Sequence, residues 1–329
     1  MQSYSHDDRL RPLGRTGATV SAVALGCWPI AGVTSLGVND EDSIATIRAA
    51  LDGGINHLDT AYCYGPNGES DRLIARAIAG RRQEVFLASK GGIHYDQHGK
   101  QSNDARPETL LRQCREILSR LNVEQIDLFY LHAPDERVPL AVSASAIRQL
   151  VEQGAVRFAG ASNCTLPQLQ EFHAVCPLAA VQLPYNMLQR DIERETIPWC
   201  RREQISVTAY WPMMKGLLAG RMAADQPLDP QDNRRNYPMY QGEEWRSNQQ
   251  FVAALKSIAD AAGKTVAQLV VNWTFSQPGI TSALCGAKRP WQIEETAAAM
   301  GWRLSVEQQQ AIAAAIAQRG PAAARRLFQ

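Results

Sequence analysis

From residue 22 onward, short apolar runs alternate with stretches in which apolar residues recur every three or four positions. The runs have the length and bounding turn residues of buried strands, and the periodic stretches have the spacing of amphipathic helices. Strands are expected at 22–26, 56–59, 85–90, 126–132, 156–162, 180–183, 206–210 and 281–286. Helices are expected between them at 41–51, 70–79, 107–121, 140–152, 166–174, 191–201 and 248–262. Pro107, Pro167 and Pro290 stand near helix starts, where a missing N–H costs nothing. Alternating βα units predict a parallel sheet, and eight of them predict an α/β protein closed into a (β/α)8 TIM barrel, which leaves no strand edge unpaired.

Outside the repeat, 13–21 carries Gly14 and Gly17 as turn residues and reads as a small N-terminal hairpin closing the barrel bottom. The polar stretch 222–250 reads as a long loop after the seventh strand, of the kind that is a functional lid or disordered, and not as a core element. A last helix is expected at 305–318, followed by a loose tail over 320–329. No linker divides the chain, so residues 1–329 are expected to form one barrel domain.

Composition narrows the function classes. The net charge is +1 and no long basic block occurs, which argues against a nucleic-acid or anionic-membrane partner. The weakly polar stretch 20–33 is broken by Ser21, Gly26, Pro29 and Gly32 and is too short to span a bilayer. Residues 1–11 are polar and charged, unlike a secretory leader. Seven scattered cysteines with no C-x-x-C pair suit reduced thiols in the cytoplasm and make a thiolate metal site unexpected.

The chemistry lies at the ends of the runs. Asp59, Lys90 and His132 each close one, and Tyr64 lies five residues beyond Asp59, before a Gly-Pro-Asn-Gly turn. Strand C-termini of a parallel barrel converge on one mouth, so the four groups are expected to share a site. A phenol titrates near ~10 and donates poorly at neutral pH unless a cation stabilises its anion. Lys90 is expected to supply that cation, Asp59 to hold the lysine, and His132 to hydrogen-bond the substrate oxygen or the phenol. Such a set suits reduction of an aldehyde or ketone, which needs a hydride donor and an acid at the carbonyl oxygen.

The segments N-H-L-D-T-A-Y-C-Y-G-P-N-G-E-S-D, L-A-S-K-G and D-L-F-Y-L-H-A-P-D resemble the aldo-keto reductases, in the family's order, and the resemblance runs from about Leu13 to Trp302. It implies Tyr64 as general acid, Lys90 and Asp59 as its modulators, and His132 as the residue orienting the carbonyl. It also implies NADPH as cofactor, bound on the barrel mouth, since no G-x-G-x-x-G is present. Ser162, Asn163 and Gln182 match the residues that grip the nicotinamide carboxamide, and Tyr210 matches the ring that stacks on it. Trp211, Pro212 and Met213 follow in the same cofactor segment, and Arg221 matches a basic residue near the pyrophosphate. Gly286, Lys288, Arg289, Gln292 and Glu295 match the adenosine end, where Lys288 and Arg289 are expected at the 2′-phosphate.

Two departures from the family pattern are visible. Tyr210-Trp211-Pro212-Met213 stands where Tyr-Ser-Pro-Leu is usual, and Glu295-Thr296 where Glu-Asn is usual. Trp28, His94 and Tyr95 are expected to wall the substrate pocket. The resemblance implies a small-molecule carbonyl or alcohol substrate. Rival readings are a nicotinamide-binding regulatory or sensor subunit with slow turnover, and an aldolase using Lys90 as a Schiff-base nucleophile, which Asp59 nearby would oppose.

Overall fold

The computed structural model describes residues 9–95, 100–223, 225 and 228–322. Eight strands close a parallel barrel: β3 (Val23–Gly26), β4 (His57–Asp59), β5 (Phe86–Gly91), β8 (Ile126–Leu131), β9 (Val156–Ser162), β10 (Leu178–Pro184), β11 (Ser206–Tyr210) and β12 (Ser282–Gly286), with β12 pairing back to β3. The expected (β/α)8 barrel is what forms. Helices α1 (Asp40–Asp52), α2 (Glu69–Ala77), α3 (Pro107–Leu121), α4 (Leu140–Glu152), α5 (Leu166–Val175), α6 (Thr196–Arg202), α7 (Gly242–Ala261), α8 (Val266–Ser276) and α9 (Pro290–Ala297) lie between or after the strands, and α10 (Val306–Arg319) follows.

The N-terminal hairpin starts earlier than its turn residues suggested, pairing β1 (Leu10–Pro12) with β2 (Thr19–Ser21). It plugs the barrel bottom with Leu13 and Val20, which pack against Phe86, Leu128, Tyr130 and Ala180. Gly14, at φ 52°, sits so close to the Gln204 carbonyl that no side chain fits, and its N–H donates to Ser206 Oγ at 2.8 Å.

Three expectations need correction. The expected helix over 191–201 splits into a 3₁₀ turn at Asp191–Glu193 and the short α6. Pro198 is the reason, because it can occupy only the first turn of a helix. The stretch 222–250 is not uniformly loop, since α7 begins at Gly242 and Met239, Tyr240 and Asn248 are buried. Helix α8 was not expected, because nine of its eleven residues are buried and a helix covered on all sides shows no polar face to read. The segment after β5 also folds back as a small antiparallel hairpin, β6 (Ile93–Tyr95) with β7 (Gln101–Asn103). Of the tail expected to be loose, residues 323–329 lie outside the described residues.

Inside the barrel a large ring is matched to a missing one. Tyr130 is fully buried, and a Cβ on Gly160 of the neighbouring strand would lie 2.6 Å from its Cε1. Gly160→Ala should therefore destabilise the fold by about 1–3 kcal/mol, the usual cost of overpacking. Urea unfolding measures it, and an unchanged midpoint would show that the ring has room to move.

Candidate active site at the barrel mouth

Side chains on a strand alternate, so Asp59 on β4 and Lys90 on β5 point into the barrel at its C-terminal end. Both are essentially excluded from solvent. Lys90 Nζ bonds Asp59 Oδ1, donates to the Thr60 carbonyl at 2.9 Å and reaches Tyr64 Oη at 3.2 Å. An ammonium has three N–H bonds, and all three find acceptors. The second Asp59 oxygen accepts from Gln182 Nε2 at 2.7 Å. Tyr64 meets Trp28 edge-on at 5.1 Å between ring centroids and His132 at 6.1 Å. The four groups expected to meet are thus brought together, with Trp28 at their edge.

His132 is fixed by its backbone. Its N–H donates to Gly91 O at 2.8 Å, and Asn163 Nδ2 donates to its carbonyl at 2.8 Å. Asn163, held at φ 59°, also accepts from Tyr210 Oη at 2.9 Å, while Ser162 Oγ donates to the Gln182 carbonyl at 2.9 Å. Ser162, Asn163, Gln182 and Tyr210 therefore form one hydrogen-bonded set that ends on Asp59 and His132. Gln182 does more than its motif indicated, because its amide nitrogen is already committed to the carboxylate. Each amide keeps lone-pair or N–H capacity for a further partner.

After β11 the chain is strained. Trp211, Met214 and Lys215 all hold positive φ, a conformation that costs about 1–3 kcal/mol per residue and clusters at ligand clamps. Pro212 is buried and Met213 half-buried within the same turn. Tyr240 Oη donates to the Met214 and Lys215 carbonyls at 3.2 and 3.0 Å, and Arg234 Nη1 lies 3.4 Å from the Lys215 carbonyl. Lys215 stands over the Trp211 ring at 5.0 Å and the Tyr237 ring at 4.6 Å. Sequence reasoning missed Lys215, Arg234, Tyr237 and Tyr240, because three of them fall in the stretch read as a polar loop.

Lys288 and Arg289 follow β12 at the start of α9. Lys288 Nζ donates to the Leu36 carbonyl at 3.2 Å, while Arg289 donates through Nη2 to the Gly37 carbonyl at 2.7 Å and pairs through Nη1 with Asp42 at 3.1 Å. Burial, then the charges of Arg234 and Arg289, push the Lys288 ammonium below its ordinary value. Such crowding of cations suits an anionic partner. Gln292 caps α9 by accepting from the Lys288 and Arg289 N–H groups, and Glu295 pairs with Arg221 at 2.7 Å. Gly286 packs against Pro29, where a Cβ would lie 2.8 Å from the proline ring. His94 and Tyr95, both half-buried on β6, line a groove of about 610 Å³ beside the mouth with Tyr62, Cys63 and Arg112. Tyr95 packs on the same small apolar cluster as Tyr64.

One buried carboxyl stands behind the site. Asp71 Oδ1 accepts from Thr60 Oγ1 at 2.9 Å, and Thr60 is the residue whose carbonyl holds Lys90. Arg120 Nη1 is 3.8 Å from Asp71 Oδ2, too far for a hydrogen bond, so burial prevails and raises the carboxyl from 3.8 to about 7. Between those values the folded chain keeps a proton that the unfolded chain has lost, so stability falls as pH rises through that window. Asp71→Asn has no proton to lose and should flatten the stability profile there. Urea midpoints at a series of pH values test it, and a profile as steep as wild type would remove Asp71 as the source.

Comparison with known proteins agrees with this geometry. Residues 22–317 match the sequence model of the Aldo/keto reductase family. The chain is 35% identical over 302 residues to Aldo-keto reductase YhdN of Bacillus subtilis (strain 168), covering 90% of each protein. It superposes on the glycerol dehydrogenase AKR11B4 from Gluconobacter oxydans with a TM-score of 0.88 and 33% identity, covering 98% of this chain and 99% of that one. The aldo-keto reductase AKR11C1 from Bacillus halodurans, in its holo form, shares the fold at a TM-score of 0.78 and 23% identity, covering 98% of each chain. A closed eight-stranded barrel, a Tyr-Lys-Asp-His cluster at its mouth and these matches lead to one conclusion: the chain belongs to the aldo/keto reductases, oxidoreductases that act on carbonyl compounds with a nicotinamide cofactor.

Proposed function

We propose that this protein, acting as a single barrel domain in the cytoplasm, reduces small aldehydes or ketones to alcohols with NADPH, using Tyr64 as general acid. The observation that carries the reading is the position of Lys90, whose ammonium reaches the Tyr64 hydroxyl while Asp59 and the Thr60 carbonyl hold it from the other side. As negative charge builds on a carbonyl oxygen, Tyr64 gives up its proton and the adjacent ammonium stabilises the phenolate left behind. His132 directs the carbonyl oxygen toward the phenol. The Asp59 carboxylate bonded to Lys90 favours the charged form of the lysine, which has no lone pair for Schiff-base chemistry, and so favours reduction over the aldolase reading.

The residues present fit a nicotinamide dinucleotide. Strained backbone at Trp211, Met214 and Lys215, spare amide capacity on Asn163 and Gln182, and a crowded cation pair at Lys288 and Arg289 are what such a ligand would use. When bound, the cofactor supplies the hydride; the chain's own residues orient the substrate and move the proton. Ser162, Asn163 and Gln182 would hold the carboxamide, Tyr210 would stack on the ring, and Arg221, Gln292 and Glu295 would frame the diphosphate and adenosine. Trp28, His94 and Tyr95 would wall the substrate. Among the described residues, no helix is long and apolar enough to cross a membrane.

Tyr64→Phe should keep the ring and lose the proton donor, lowering aldehyde reduction by ~100-fold or more while cofactor affinity holds. NADPH absorbance with a panel of aldehydes, ketones and sugars reads the rate, and retention of a tenth or more of turnover would take Tyr64 out of the role. Replacing both Lys288 and Arg289 by alanine should weaken NADPH by roughly ten-fold or more and leave NADH almost unchanged, because only the 2′-phosphate offers a charge to both cations. Fluorescence titration of each cofactor decides this, and equal weakening of the two would assign the pair to holding the 36–37 backbone.

A further inference from the structure

The backbone contacts of His132 fix where its side chain begins and do not by themselves set its ring rotation or tautomer. On the Nδ1 side the ring meets Cys63 Sγ at 3.7 Å, within reach of an S–H···N hydrogen bond. Cys63 is 5% exposed and sits in an apolar cluster with Ala61, Ile93 and Ala133, at the edge of the groove it helps to line. It directly precedes Tyr64 on one turn, closed by Tyr64 N–H to Ala61 O and Gly65 N–H to Cys63 O, both at 3.0 Å. A single turn thus presents the phenol to Lys90 and the thiol to His132.

A neutral imidazole has one N–H and one lone pair, and the partner on one nitrogen decides which it is on the other. A thiol brings a hydrogen to that choice. If its S–H points at Nδ1, the ring proton must sit on Nε2, and Nε2–H is then a donor. The opposite tautomer would turn a lone pair toward a carbonyl oxygen and repel it.

We propose that Cys63 is a positioning residue: its thiol donates to His132 Nδ1 and so fixes the ring in the tautomer whose Nε2–H meets the substrate carbonyl. The proposal rests on the reading of His132 as the group that orients the carbonyl. It transfers no proton and forms no covalent bond. A packing role for Cys63 predicts a different order of variants. In an apolar cluster, packing favours Val or Ala over Ser, whereas tautomer control favours Ser, which keeps an X–H donor, over both.

The test uses the full chain with Cys63→Ser, Cys63→Ala and Cys63→Val. Reduction of 4-nitrobenzaldehyde by NADPH gives kcat and KM. Ring ¹⁵N shifts in ¹⁵N-histidine-labelled protein give the tautomer, with the His132 signals identified by their loss in His132→Gln. Wild type and Cys63→Ser should show the ring proton fixed on Nε2. In Cys63→Ala and Cys63→Val the signals should move toward exchange between tautomers, with kcat down about two- to ten-fold, the worth of one neutral hydrogen bond, and the KM for NADPH unchanged. Activity in the order Val, Ala, Ser, or a His132 pattern in Ala and Val identical to wild type, would overturn the proposal. Full turnover in His132→Gln would instead overturn the reading of His132, and the role of Cys63 with it.

Discussion

A charged pair buried under the barrel mouth sets the terms for everything near it. Lys90 is 1% exposed and Asp59 not at all, and each ion taken from water costs several kcal/mol that a single contact does not return. The remainder comes from the Thr60 carbonyl and the Tyr64 hydroxyl, both in the segment after β4, and from the Gln182 amide on β10. Strands β4, β5 and β10 must keep their mutual register for these groups to meet. Removing one partner leaves a buried charge uncompensated, a loss of about 3–5 kcal/mol, so the pair constrains the fold as strongly as it serves the chemistry proposed for it.

Around that pair, polar groups are shared between holding the barrel and facing the mouth. Gln182 ties β10 to β4 through Asp59, and Asn163 ties β9 to β8 through the His132 carbonyl. A residue that holds a neighbour in this way is already oriented before any ligand arrives, which lowers the ordering cost of binding. The turn after β11 is the opposite case. It is held in strained backbone by Tyr240 and Arg234, whose hydrogen bonds to the Met214 and Lys215 carbonyls offset part of that strain. The segment before α7 is therefore a brace for the mouth, which explains why a stretch so polar in sequence buries Met239 and Tyr240.

The cationic end is joined to the aromatic end through one loop. Lys288 and Arg289 hold the carbonyls of Leu36 and Gly37, and Thr34 of the same loop accepts from Trp28 Nε1 at 2.8 Å. Trp28 in turn lies against Tyr64. The loops after the neighbouring strands β12, β3 and β4 thus share a short covalent and hydrogen-bonded path.

The sequence alone was enough for the barrel and for the four residues that meet at its mouth. Eight apolar runs spaced by helical periods admit few closed arrangements, and side-chain alternation on parallel strands sends Asp59 and Lys90 to one end whatever the loops do. It also singled out Trp28 as a wall of the expected pocket, while the contact of that ring with Tyr64 came from the structure. It did not reveal α8, whose burial on every side erases its periodicity, or the brace built from Arg234 and Tyr240, whose partners are backbone carbonyls that no side-chain pattern records. The second duty of Gln182 and the contact of Cys63 with His132 join residues 123 and 69 positions apart along the chain. Only the closed barrel decides them, because they depend on which atoms strand register and turn geometry bring within hydrogen-bonding distance, and local residue preference carries no information about that distance.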